Sequence, residues 1–151
     1  MIARIALGWS VLGLVVQVIF TALVAPKLGE TFDFTIPGRG PTLAVAVDTA
    51  VMSTVGVVVT VVAILISAFA LLMESRNSRF AYAIGVVVCI VVPGFVGLVT
   101  GNGVAAAVTG GDSSIGVSLL IGFVAIVAVM LGALSIVGAT KFENQRAAQA
   151  G

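Results

Sequence analysis

The stretch TAVMSTVGVVVTVVAILISAFALLM, residues 49–73, carries no charged side chain and no proline. Coiled as an α-helix at about 1.5 Å per residue, it is longer than the roughly 30 Å of hydrocarbon in a bilayer. Its small and polar residues are ordered: Thr49, Ser53, Gly56, Thr60, Ala63 and Ser67 recur at spacings of 4, 3, 4, 3 and 4. Lipid is as apolar as leucine, so helices within it associate through small and sparse polar residues. A seven-residue period of such residues corresponds to left-handed packing. The stretch reads as a membrane span with one face turned to protein.

Three further spans are expected, at about residues 5–25, 80–100 and 115–140. The first is bounded by Pro26 and Lys27, the third contains Pro93, and the fourth stops at Lys141. The chain has 151 residues, of which 60% are hydrophobic and 9% charged, with a mean hydropathy of +1.29. A soluble domain carries about 25% charged residues. The expected fold is all-α, an integral membrane four-helix bundle forming one transmembrane domain over residues 1–151. Arg4 and the apolar run after it have the look of a signal peptide. The run is longer than a usual signal core, however, and Pro26 stands where a cleaved chain would begin, so a retained helix is expected.

Basic residues set the expected orientation. Arg4, Arg76, Arg79, Lys141 and Arg146 fall on one side, Lys27 and Arg39 on the other. The richer side should be cytoplasmic, which puts both termini inside, and the loops at 26–48 and 101–114 outside. Trp9 and Tyr82 then lie near the inner interface. Arginine outnumbers lysine five to two, a hint of a GC-rich bacterial genome and hence of a bacterial inner membrane.

The other spans also carry small or polar faces. Ser10, Gly13, Gln17 and Thr21 share one side of the first. Gln17 sits near mid-bilayer, where an amide facing lipid is costly. In the third, Ala81, Gly85, Cys89, Pro93, Gly97 and Gly101 are four apart throughout, a spacing that suits a close right-handed crossing. Pro93 also frees the carbonyl of Cys89. The fourth has Ser118, Gly122, Ala125, Gly132 and Ala139. Such stripes serve either internal packing or another subunit. For the second use, Gly85, Gly97 and Gly101 are the candidates.

In the first outer loop, residues 31–36 alternate polar and apolar, followed by Pro37-Gly38-Arg39-Gly40-Pro41. This reads as an extended segment, half of a hairpin, with Phe32, Phe34 and Ile36 on one face. That face either covers the chain's own bundle or docks a partner, with Arg39 beside it. The second outer loop, residues 101–114, is Gly-rich. Its apolar pentad 104–108 is too short to span and reads as an extra helical turn lying at the interface, and Asp112, Ser113 or Ser114 is expected to cap the fourth helix.

The chemistry on offer is thin. There is no histidine and one cysteine, Cys89, so His-based metal and acid–base sites, intrachain disulfides and Cys-ligated clusters are excluded. No nucleophile–base pair, phosphate loop or metal cluster stands out. Neither catalysis nor a cofactor is expected, and a net charge of +1 gives no reason to expect nucleic acid. The expected function is that of a non-catalytic, structural or accessory small subunit of a larger bacterial inner-membrane complex, in contact with lipid and with other membrane-protein subunits or itself. A self-associating small channel or transporter is the alternative, its path lined by Gln17, Asp48, Thr49, Ser53 and Thr60. A regulator that binds another membrane protein transiently is a third.

Overall fold

The computed structural model describes residues 1–35, 45–110 and 115–151. It is helical apart from one short hairpin. Among the described residues, four helices are long and apolar enough to cross a membrane, so by length and composition the chain is a multi-pass membrane protein. Residues Ile36, Arg39, Asp112, Ser113 and Ser114, on which some expectations fell, lie outside the described residues.

The first span does not stop at Pro26. Helix α1 (Ile2–Ile19) passes into a π turn (Phe20–Val24) and then a short α2 (Ala25–Leu28) that holds Pro26 in its first turn. In regular α geometry Pro26 has no N–H to give Ala22 and its ring meets that carbonyl. The wider π turn just before it is where the helix takes up the mismatch. Gly29, at φ +74°, ends the run in a backbone conformation that side chains disfavour.

Strand β1 (Thr31–Phe34) then pairs antiparallel with β2 (Val45–Asp48), with Thr31 opposite Asp48. The sequence reading foresaw only the first strand. Asp48 ends the hairpin and caps α3 (Thr49–Met73), its Oδ1 accepting from Val51 N at 2.9 Å. Asn77 caps α4 (Ser78–Thr109) in the same way, through Phe80 N. Helix α4 ends at Gly110, whose φ of +67° gives the left-handed C-terminal cap. Helix α5 (Ile115–Ala150) closes the chain.

Residues 101–109 are therefore a continuation of α4, which corrects the expectation of a Gly-rich outer loop beginning at Gly101; the helical turn expected at 104–108 is part of that same helix. Each glycine costs a helix about 1 kcal/mol against alanine, but at Gly103 a neighbour leaves room for nothing larger. A Cβ on Gly103 would strike the ring of buried Phe20, whereas one on Gly101 would make only an ordinary contact with Ile121, at 3.8 Å. Local turn statistics lose to contacts with distant residues.

Helix α4 is the hub, with α1, α3 and α5 all packed on it; α1 also packs along α3, and α5 touches α1 only lightly. The small seam of α3 is buried along its length, from Thr49 through Ser53, Gly56, Thr60, Ala63 and Ser67 to Ala70. Its polar members face α1, where Ser10 and Ser67 share a hydroxyl contact of 3.4 Å. The stripe of α4 behaves differently. Residues four apart precess by roughly 40° per step on a 3.6-residue helix. Gly85 accordingly meets Ile2 of α1, while Gly97 meets Ala128 and Gly101 meets Ile121 of α5. One stripe serves two neighbours within the chain.

Candidate functional site

The hairpin pins the ends of the first two spans together. Because Thr31 pairs with Asp48, Glu30 comes beside the start of α3, and its carbonyl accepts from Thr49 N at 2.9 Å. Between the spans a groove of about 810 Å³ opens. Its polar lining is Thr21, Glu30, Asp48, Thr49, Ser53 and Thr54; Ala25, Val57 and Val58 supply apolar wall.

The state of each polar group matters more than its presence. Thr21 donates its hydroxyl proton to the Gln17 carbonyl at 2.9 Å, and Thr54 donates to the Ala50 carbonyl at 2.9 Å. Thr49 and Ser53 are buried, at 6% and 5% exposure, and their hydroxyls have no partner among the described residues. Below them on the seam, the amide of Gln17 fills the place a Cβ on Gly56 would take, fully buried and likewise without a partner among the described residues. Buried polar groups are paired as a rule, and leaving one unpaired costs about 1–3 kcal/mol.

Asp48, Thr49 and Ser53, three of the residues read from sequence as lining a path, thus meet in this groove, with Gln17 on the same helix interface. Thr60 does not join them: it faces the seam but returns its hydroxyl to the Gly56 and Val57 carbonyls. Glu30 was missed, since only the pairing with β2 brings it here.

The remaining residues singled out from sequence lie elsewhere. Phe32 is buried and Phe34 half-buried, both turned towards their own chain. Beside them Asn102, another residue the sequence reading passed over, holds Thr35. Gly85, Gly97 and Gly101 abut helices of the same chain, as described above. Pro93 leaves the Cys89 carbonyl without its helical donor, and that oxygen lies where a Cβ on Gly132 would be. Only a bare Cα–H fits there, in the manner of the weak contacts found between closely packed helices.

At the other end of the spans, the Met1 amine meets Glu74 at 2.6 Å and Glu143 at 3.1 Å. Burial disfavours its charge, but the two carboxylates overcome that and hold its pKa above the ordinary 8.0. Arg4 and Arg146 line the same cavity, of about 600 Å³. Among the described residues no group of three or more acidic, cysteine or histidine side chains is placed to hold a metal ion.

Comparison with protein-family models, with curated proteins and with solved structures gave no match.

Proposed function

We propose that the chain is a non-catalytic accessory subunit of a larger assembly in a bacterial inner membrane, with both termini cytoplasmic. The orientation rests on the bias of basic residues towards the end that carries Arg4, Arg76, Arg79, Lys141 and Arg146. The subunit reading rests on the seating of α5. Of the most apolar stretch of each span, 44% of positions are buried in α4 but only 11% in α5. The fourth span is held along one narrow face by Gly132, Ala139 and Ile121, and the rest of its surface is left to its surroundings.

The test is extraction of native membranes in mild detergent, followed by size separation and mass spectrometry. Stoichiometric co-migration with other membrane proteins is expected. Migration alone, as a monomer or homo-oligomer, overturns the reading for any stable complex.

A second reading, a self-associating small channel or transporter, is favoured by one observation: Gln17, Thr49 and Ser53 keep unpartnered polar groups along a single helix interface. Flux into liposomes that falls in Asp48→Asn while assembly is unchanged separates this reading from the first.

A further inference from the structure

We infer that the groove between the first two spans binds a primary ammonium group carried on an apolar body, either an amine-headed lipid or a free alkylamine. The charged side chains of its lining are both acidic. Glu30 and Asp48 line it, and among the described residues no lysine or arginine does. The start of α3 contributes roughly half a positive charge, and two of its N–H groups are already engaged, Val51 N by Asp48 and Thr49 N by the Glu30 carbonyl.

The hydrogen-bonding capacity points the same way. Thr21 and Thr54 have committed their protons to backbone carbonyls, so only their lone pairs remain. The carboxylates accept only. The hydroxyls of Thr49 and Ser53 are buried beside them, without partners among the described residues, and each can accept as well as donate. A groove so rich in acceptors selects a ligand rich in donors. An ammonium ion offers three N–H bonds; a quaternary amine offers none.

Size and wall chemistry supply the rest. About 810 Å³ is far more than a bare ion fills, and two carboxylates fall short of a divalent-cation cage. Ala25, Val57 and Val58 give an alkyl chain an apolar wall on the side of the membrane-spanning helices.

The test uses the full chain in an uncharged detergent, with octylammonium, octyltrimethylammonium and octanoate as probes read by thermal shift and by native mass spectrometry. Octylammonium is expected to bind saturably and about tenfold or more tighter than its trimethyl analogue, since charge-assisted N–H bonds are the strong ones. Octanoate should not bind. Asp48→Asn keeps a good helix cap and should weaken binding about tenfold. Glu30→Gln alters an exposed side chain and covers the case in which Asp48→Asn does not fold.

Nanodiscs of ethanolamine-headed or choline-headed lipid distinguish the sources. Retention of the ethanolamine lipid alone makes the ligand a lipid, and binding of octylammonium without lipid retention makes it a soluble amine. Equal binding of the trimethyl probe, affinity unchanged in both carboxylate variants, or no saturable binding of either amine source overturns the inference. None of these outcomes depends on whether other subunits co-migrate.

Discussion

Asn102 holds both backbone polar groups of Thr35: its Oδ1 accepts from Thr35 N at 2.7 Å, and its Nδ2 donates to Thr35 O at 3.2 Å. The amide acts as a stub of β-strand presented by a helix. Nδ2 also serves the Leu98 carbonyl at 2.9 Å. Both residues are buried, so the pair fastens the hairpin to the end of α4.

Replacing Asn102 with alanine strands two buried backbone groups, each at a cost of about 1–3 kcal/mol. The loss should be local. Amide exchange in β1 is expected to accelerate strongly while the middle of α3 stays protected. Exchange in β1 at the wild-type rate would show that the fastening lies elsewhere.

Glycines 132 and 138 make a matched pair on α5. A methyl group at Gly132 meets the Cys89 carbonyl; at Gly138 it meets open space. Gly132→Ala should destabilise by about 1–3 kcal/mol through overpacking, whereas Gly138→Ala should be neutral or gain up to about 1 kcal/mol of helix propensity. Unfolding midpoints in detergent settle the order, and equal midpoints would refute the close seam.

The contact between Gly103 and Phe20 calls for a double-mutant cycle. Gly103→Ala alone should destabilise by about 1–3 kcal/mol. Combined with Phe20→Leu, which removes the ring from its path, the cost should shrink, giving a coupling of about 0.5–3 kcal/mol. Additive effects would mean that the two residues do not meet.

Gln17→Met tests the unpartnered amide. The side chains are close in shape, so removing the buried polar head should stabilise the chain by about 1–3 kcal/mol. A lower midpoint would show that the amide has a partner.

The Met1 amine makes stability depend on pH. Its pKa is raised by Glu74 and Glu143 against the opposing effect of burial, so its contribution is full below the ordinary value of 8.0 and fades as the pH rises through the folded value. Between pH 7 and 10 the wild-type midpoint should fall more steeply than that of a Glu74→Gln, Glu143→Gln variant. Parallel curves would remove the amine from the account.

Periodic features were legible in the sequence, and features made by distant partners were not. The seam from Thr49 to Ser67 announced its buried face because every member repeats the same geometry. The four-residue stripe of α4 was legible as small residues but not as two interfaces, since that division comes from helical precession against two neighbours. The Gly101-Asn102-Gly103 run reads locally as a turn; within the helix its contacts are with Phe20 and Thr35, far away in sequence. Glu30 had no signal of its own, because its place depends on pairing with Val45–Asp48, a segment too short to advertise a strand.

Cys89 and Gly132 bear on how the last span can move. Packed helices sometimes slip past one another by a full turn, trading one set of holes for the next. Here the hole beside the Cys89 oxygen accepts only a residue without a Cβ. One turn away along α5 stand Ala128, Val129, Ser135 and Ile136, each of which has one. Sliding α5 by a turn would drive a side chain into that oxygen, so this seam works as an axial stop. Any motion of the fourth span that leaves the seam intact is a pivot about the Cys89–Gly132 point.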